Sequence, residues 1–217
     1  MNFIDDFARK HRNFGIKNLM QHVCLITMIV FIVDTLTGGR LTPFLYLDRS
    51  LIFGKFQIWR LVTFLFIPQT DSIFWILFSL MLYYTLGSAL ENLMGTARFN
   101  LYYITCAAFT VISALIFGGA YTGYYVYMCM FLVFAYYYPN YQILLFFILP
   151  VEVRYLAFFD LVLIVIDVVR AIMWLDIASA ITILAPFGGI ILFFGPEIRD
   201  GIKAYKRRKD FQKKMRD

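Results

Sequence analysis

Residues Ser72 to Leu93 read SIFWILFSLMLYYTLGSALENL, and Glu91 is the only charged side chain in this stretch. A helix of this length is about 33 Å long, which is enough to cross a hydrocarbon core of about 30 Å. Similar apolar stretches lie on both sides of it, at about Leu19 to Leu36, Phe99 to Phe117, Tyr121 to Tyr138, Tyr155 to Trp174 (with an apolar approach from Ile143) and Ile177 to Phe194. We therefore predict an all-α integral membrane protein with a bundle of six transmembrane helices.

The composition supports a membrane protein. Of the 217 residues, 61% are hydrophobic and 16% are charged, whereas soluble domains carry about 25% charged residues. A soluble globule of this size needs more polar surface than the chain supplies. We therefore exclude a soluble protein and expect the lipid bilayer to be the chain's first partner.

The basic residues predict the orientation of the chain in the membrane. The net charge is +6, and the basic side chains are concentrated near the C-terminus, where residues Lys206 to Lys209 read KRRK. Such a segment is retained in the cytoplasm and attracted to anionic lipid headgroups, so we do not expect nucleic-acid binding. Three regions are predicted: a cytoplasmic amphipathic segment (1–18), a membrane domain (19–196) and a basic cytoplasmic tail (197–217).

The first apolar run is predicted to be a transmembrane helix and not a cleavable signal peptide. It lacks a small-x-small cleavage site and ends at Thr37-Gly38-Gly39. With six spans, both termini lie on the same side of the membrane. We predict a multi-pass plasma-membrane protein, bacterial in origin, with its N-terminus and C-terminus in the cytoplasm.

The segment from Gly38 to Thr70 is too often interrupted by charged residues and prolines to span the membrane. Its Trp59, followed by Arg60 and several apolar residues, is typical of a piece that lies at the level of the lipid headgroups. We predict a half-immersed first loop. The three cysteines, Cys24, Cys106 and Cys129, lie inside apolar stretches without CxxC spacing, so no disulfide, metal ion or cofactor is expected.

Three motifs resemble those of the rhomboid family of intramembrane proteases. They are IWRLVT at Ile58 to Thr63, LFSLML at Leu77 to Leu82 and GSALENLMGTARF at Gly87 to Phe99. The resemblance covers about Ile58 to Gly195. It implies a six-helix rhomboid-like bundle in which Trp59 and Arg60 anchor the first loop, while Glu91 and Arg98 belong to the scaffold at the join between the second and third spans.

The same resemblance implies that the catalytic positions are degenerate. The Gly-x-Ser-Gly of active rhomboids falls near Tyr124, the Ala-His of their sixth span is matched by Ala185-Pro186, and their His-x-x-x-Asn pair is occupied by Trp75 and Ser79. Pro186 is also expected to kink the sixth span, because proline removes a backbone donor. We therefore predict that the chain is not an enzyme.

Elementary chemistry supports this conclusion. A serine nucleophile needs a general base within hydrogen-bond reach, but the two histidines, His11 and His22, lie before or near the cytoplasmic end of the first span. No HExxH zinc motif is present. Asp160 and Asp167 lie on one face of one helix, about 10 Å apart along its axis, too far to share a proton.

Two sets of side chains remain candidates for a binding site. Tyr121, Tyr124, Tyr125 and Met128 have the spacing of one helical face and, together with Trp75, are candidates for client binding. Filling of the former active-site cavity is the favoured alternative for the tyrosines. Among the intramembrane charges Asp160, Asp167 and Arg170, we expect Asp167 to pair with Arg170, whereas Asp160 has no local partner and is the better functional candidate.

Three functions follow from these observations. The first hypothesis is a pseudoprotease that binds transmembrane segments of client membrane proteins without cleaving them. The alternative is a six-helix carrier or a lipid- or small-molecule-binding subunit, with Asp160 and the tyrosines as ligands. An active protease that uses Thr122 or Cys129 as a non-standard nucleophile ranks last.

Overall fold

A computed structural model describes residues 15–145 and 149–196, together with Arg199 and Arg207. Most of the predicted N-terminal segment, including His11, and the predicted basic tail apart from these two arginines lie outside the described residues.

The described chain is predominantly helical. Its helices are α1 (Leu19–Leu36), α2 (Arg49–Lys55), α3 (Arg60–Thr63), α4 (Ile73–Met94), α5 (Thr96–Phe117), α6 (Tyr124–Tyr137), α7 (Val153–Met173), α8 (Ile177–Leu184) and α9 (Phe187–Pro196). Short 3-10 turns at Thr42–Phe44 and Phe64–Phe66 belong to the loop between α1 and α4. The strands form two antiparallel pairs, β1 (Leu47–Asp48) with β2 (Ala120–Tyr121) and β3 (Gln142–Leu145) with β4 (Leu149–Glu152).

Three helices of the described chain, α1, α4 and α5, are long and apolar enough to cross a membrane, and α8 and α9 make a fourth span if they are counted together. The sequence predicted six spans. Helix α6 has 14 residues, about 21 Å, which is shorter than the hydrocarbon core. Helix α7 has 21 residues but carries Asp160, Asp167 and Arg170 along its length. The structure therefore supports a membrane protein with three or four spans that meet the length and composition expected.

The sixth predicted span is broken at Pro186, as the sequence suggested. Helices α8 and α9 are bent by 40° at this break. Proline has no backbone N–H to donate to the carbonyl four residues earlier, which belongs to Thr182. The Thr182 hydroxyl lies 2.9 Å from that of Ser113 on α5. A Cβ placed at Gly189 would lie 2.4 Å from the Cys106 sulfur, so glycine permits the close approach of α9 to α5.

The apolar approach to the fifth span is not helical. Residues from Ile143 onward were expected to lead into that span, but they form a hairpin in which Gln142 faces Glu152 and Ile143 faces Val151. Both strands of a two-stranded hairpin are edge strands, so Pro150 is tolerated although it cannot donate a ladder hydrogen bond. A continuous apolar run does not distinguish such a strand from a buried helix.

The core lies around α5. Half of the residues in its most apolar 18-residue stretch are buried, whereas only 28% are buried in the corresponding stretches of α1 and α4. Phe99 and Tyr102 of α5 and Met130 and Phe134 of α6 are almost fully buried there. Helix α5 packs against α4, α6 and α8, whereas α4 and α7 both pack against α6 and make few direct contacts with each other. This arrangement leaves a cleft between α4 and α7 with α6 at its base.

Candidate functional site

The loop between α1 and α4 is held together by the Arg60 guanidinium. This side chain is only 2% exposed. Its Nη1 donates to the carbonyl oxygens of Pro43 (3.0 Å) and Tyr46 (2.8 Å), and its Nε donates to Gln57 Oε1 (2.7 Å). Trp59 is half exposed, and its indole N–H donates to the Phe44 carbonyl at 3.2 Å. Both residues of the Trp-Arg pair thus tie separate turns of the loop to one another.

The same loop contains a capped short helix. The Asp48 carboxylate accepts hydrogen bonds from the Ser50 N–H (2.8 Å) and hydroxyl (2.7 Å) and caps α2. The hydrogen bond from the Ser50 side chain holds the pKa of Asp48 below its usual value. The Asp34 carboxylate, near the end of α1, likewise accepts hydrogen bonds from the backbone N–H groups of Leu41 and Thr42 and from the Thr42 hydroxyl. The Asp34 carboxylate therefore ties the end of α1 to the loop that follows it.

The loop also determines where α6 begins. The Gly123 N–H donates to the Phe64 carbonyl at 2.9 Å, and the buried Tyr127 hydroxyl donates to the carbonyl of Leu65. A Cβ at Gly123 would lie 3.1 Å from the Leu65 Cα, so the residue at this position must be small. The first turn of α6, with Tyr124 and Tyr125, is therefore held directly against the loop.

The expected one-face cluster on the fourth span is divided. Helix α6 starts only at Tyr124, whereas Tyr121 lies in β2 opposite Leu47, with its ring packed against Gly119. The i, i+3, i+4, i+7 pattern requires a helix that is continuous from Tyr121. The expectation fails because the loop carbonyl of Phe64 stops the helix at Gly123. Tyr124 and Tyr125 remain together, with ring centroids 5.1 Å apart.

Asp167 has a different partner from the one expected. The Tyr125 hydroxyl donates to Asp167 Oδ2 at 3.2 Å, which joins the first turn of α6 to α7. The expected ion pair between Asp167 and Arg170 is not formed, whereas Arg154, at the start of the same helix, pairs with Glu152 at 2.6 Å. Arg170 is exposed. It therefore faces the surroundings of the bundle, while Asp167 faces α6.

The residues at the His-x-x-x-Asn position lie on α4. Trp75 is 45% exposed and meets the rings of Phe74 and Phe78 edge-on at 5.7 and 6.3 Å. Ser79 donates its hydroxyl to the Ile76 carbonyl at 3.0 Å, within its own helix. Trp75 therefore presents an aromatic surface at one end of α4, and the Ser79 hydroxyl is already satisfied.

The join between α4 and α5 holds the segment that precedes α1. Glu91 is buried, and its Oε1 accepts from the Asn18 N–H (3.0 Å) and the Thr96 hydroxyl (2.9 Å). Asn100 exchanges two hydrogen bonds of 3.0 Å with the Ile16 backbone. Arg98 lies 5.7 Å from the centre of the Phe194 ring on α9. The role of Asn100 was missed, although a single polar amide in an apolar helix is a recognisable signal.

A cavity of about 220 Å³ lies in the cleft between α4, α6 and α7. Its walls include Phe78 and Leu82 of α4, Met128 of α6 and Phe159 of α7, and Asp160 is the only charged residue that lines it. Asp160 is 6% exposed. Its Oδ2 has no hydrogen-bond partner among the described residues. A buried carboxyl group without a hydrogen-bond partner in an apolar cavity is costly, which makes Asp160 a candidate for binding.

A second cavity, of about 490 Å³, lies between α6, α7 and α9. Its lining is apolar apart from Tyr136 and Arg154. The Arg154 guanidinium lies 4.9 Å from the centre of the Tyr155 ring. This cavity is large enough for part of an elongated apolar molecule.

No histidine or cysteine of the described residues lines the cavity beside Asp160. His22 is exposed at the start of α1, with its Nδ1 3.0 Å from the Asn18 carbonyl oxygen. Within residues 15–145 and 149–196, no group of three His, Cys, Asp or Glu side chains is arranged to hold a metal ion. Cys106 and Cys129 are buried free thiols. The cavity beside Asp160 combines apolar and aromatic walls with one carboxyl group.

Comparisons with known proteins give no relative of this chain. No model of a protein family matches it. No curated protein and no solved structure matches it either.

Proposed function

We propose that this chain is a catalytically inactive, rhomboid-like membrane protein that binds transmembrane segments of client proteins without cleaving them. The observation that carries the proposal is the cleft between α4 and α7, which has α6 at its base and Asp160 on its wall. Two helices that each pack on a third but scarcely touch one another leave a groove into which another helix fits. Within a membrane such a groove is open to lipid and to other spanning segments.

The residues around the cleft suit recognition of a helix. Trp75 offers an exposed aromatic ring on α4, and Tyr124 and Tyr125 are half-buried at the first turn of α6. Aromatic side chains supply a large contact area with little loss of conformational entropy, and a tyrosine hydroxyl adds a hydrogen bond. The Tyr125 bond to Asp167 supports this arrangement by joining α6 to α7. Tyr124 is the residue of this group whose side chain is best placed for removal without loss of a known hydrogen bond.

The remaining predictions of the sequence form part of the same proposal. A six-helix arrangement requires α6 and α7 to cross the membrane as well, although α6 is short and α7 is charged. The anchored loop that covers the start of α6 supports this arrangement, because the loop would reach into the headgroup region and shorten the distance that α6 has to cross. We place the protein in a plasma membrane with both termini in the cytoplasm.

The decisive experiment is native mass spectrometry of the protein extracted from its own membrane without exchange into synthetic lipid. We expect a reproducible membrane-protein partner that is lost in Tyr124→Ala and retained in the matched control Tyr84→Ala, which removes an exposed tyrosine from α4. A stoichiometric lipid or metabolite in the absence of any protein partner would contradict client binding.

The second candidate is a lipid-binding subunit, favoured by the cavity of about 490 Å³ with Arg154 on its wall. Such a cavity suits an acyl chain, and an arginine suits an anionic headgroup. Substitution Leu161→Trp would fill the cavity from α7. Loss of a co-purified anionic lipid in this variant, with any protein partner unchanged, would assign the cavity to lipid.

A further inference from the structure

The buried carboxyl group of Asp160 lacks a hydrogen-bond partner for one of its oxygens among the described residues. It lies seven residues into α7, about 10 Å along the helix axis, and its Oδ2 has no partner among the described residues. Solvation by lipid cannot replace a hydrogen bond or a counter-ion. Within the described part of the chain, this carboxyl group therefore lacks a partner.

No basic residue of the described chain is placed to complete it. Arg154 is paired with Glu152 at 2.6 Å and stacked on Tyr155. Arg170 is ten residues further along α7, about 15 Å away along the axis. The neighbouring Tyr127 hydroxyl is used by the Leu65 carbonyl, and its ring stacks on Tyr83 with a centroid distance of 4.3 Å.

The size of the cavity narrows the class of occupant. At about 220 Å³ it is far larger than the share of one water molecule, about 30 Å³, and smaller than the pockets of about 300 to 1,000 Å³ that hold drug-sized ligands. A single long side chain is larger than a water molecule and smaller than a drug-sized ligand, so it matches the size of this cavity. The apolar walls suit an aliphatic stem, and the carboxyl group at Asp160 suits a cation at its end.

We propose that Asp160 selects client segments that carry a basic side chain, which extends into this cavity from a helix in the cleft between α4 and α7 and pairs with the carboxylate. The inference rests on the proposed client-binding function and names the feature that the cleft recognises. A lysine within a spanning segment is itself costly in lipid and needs a counter-ion. The ion pair therefore offsets the cost of a buried charge on both partners. For this reason a client with a basic residue is preferred over a purely apolar one.

The test uses the full chain in phosphatidylcholine vesicles and synthetic spanning peptides of leucine and alanine. One peptide carries a central lysine, and its matched control carries norleucine, which has the same stem without the charge. Binding is measured by energy transfer between a fluorophore on the chain and one on the peptide. We expect the lysine peptide to bind at least about tenfold more tightly, a difference of about 1.4 kcal/mol.

Variants of Asp160 separate recognition from a structural role. Asp160→Asn should abolish the preference for lysine, whereas Asp71→Asn, which changes an exposed carboxylate just before α4, should keep it. Asp160→Lys should instead favour a peptide with a central glutamate, a reversal that loss of packing alone would not produce. A cooperative thermal unfolding transition in each variant establishes that its bundle is folded. If Asp160→Lys does not fold, the comparison of Asp160→Asn with the unaltered chain is sufficient.

The outcomes distinguish this inference from the function on which it rests. If lysine and norleucine peptides bind equally and Tyr124→Ala weakens both, client binding stands and the role of Asp160 is wrong. Persistence of the lysine preference in Asp160→Asn also overturns the role of Asp160, because another group then provides the selection. If neither peptide binds and no client is recovered from the native membrane, both proposals fail.

Discussion

Replacement of Arg60 by alanine tests whether this buried guanidinium holds the half-immersed loop together. The substitution removes the donor to the carbonyls of Pro43 and Tyr46 and to the side chain of Gln57. A buried acceptor left without a donor costs about 1 to 3 kcal/mol. The Gln57 side chain can turn its amide to water, whereas the carbonyls of Pro43 and Tyr46 are fixed in the backbone, so these two carbonyls determine the loss.

Two unsatisfied carbonyls give a loss of about 3 kcal/mol in the free energy of unfolding, towards the lower end of their sum, because part of the loop can relax towards water. For a chain of this size, 1 kcal/mol corresponds to about 2 to 4 °C in Tm, so we expect a decrease of about 6 to 12 °C. Arg60→Lys should recover only part of it, since an ammonium group lacks the planar fork of the guanidinium.

The assay uses the chain's own cysteines. Cys106 and Cys129 are buried in the bundle, so a thiol-reactive fluorogenic dye reports unfolding as temperature rises. The matched control is Arg49→Ala, which removes an exposed arginine of the same loop that donates to the Ile116 carbonyl at 2.8 Å, and it should lower Tm by less than about 4 °C. An Arg60→Ala variant that unfolds at the same temperature as the Arg49→Ala control would refute the anchoring role.

Three further predictions concern packing, tethering and pH. Gly87→Ala should destabilise the bundle by about 1 to 3 kcal/mol in the same dye assay, because its Cβ would lie 2.0 Å from Met20 Cγ on α1, whereas Gly54→Ala, with open space around it, should not. Glu91→Ala removes the acceptor for the Asn18 N–H and the Thr96 hydroxyl, so proteolysis before α1 should become faster, and unchanged cleavage would contradict the tether. The pKa of Asp48 is lowered in the folded chain by the Ser50 hydrogen bond, so its capping contribution is present above the unfolded pKa of about 3.9 and is lost as pH falls through the folded value. Cleavage in α2 should therefore increase in acid, and Asp48→Ser, which keeps a cap that does not titrate, should weaken that dependence.

The sequence predicts the long helices closely and the shorter features poorly. The first predicted span coincides with α1, and the second differs from α4 by one residue at each end. These helices are bounded by local signals, such as Thr37-Gly38-Gly39 after α1 and Gly95, with φ +85°, after α4. Apolar length and glycine punctuation are properties of the neighbouring residues, and they can be recognised without the rest of the fold.

Features that depend on distant residues were not predictable in this way. The start of α6 is set by a hydrogen bond from Gly123 to Phe64, and Asp167 is bound by Tyr125, which is 42 positions away. Asn100 holds the backbone of Ile16 across 84 positions. Such contacts arise only when the helices have packed, so helical spacing alone misplaced Tyr121 and assigned Asp167 to Arg170.

The short length of α6 has a consequence for where the protein resides within a membrane. If α6 crosses the bilayer, its 14 residues fall about 9 Å short of a typical hydrocarbon core. This hydrophobic mismatch costs a fraction of a kcal/mol per Å, which lipids relieve by thinning around the helix. Summed over the deficit, the cost amounts to a few kcal/mol and favours thin bilayers over thick ones. Bilayer thickness would then determine in which membrane regions this protein accumulates, independently of any partner that it binds.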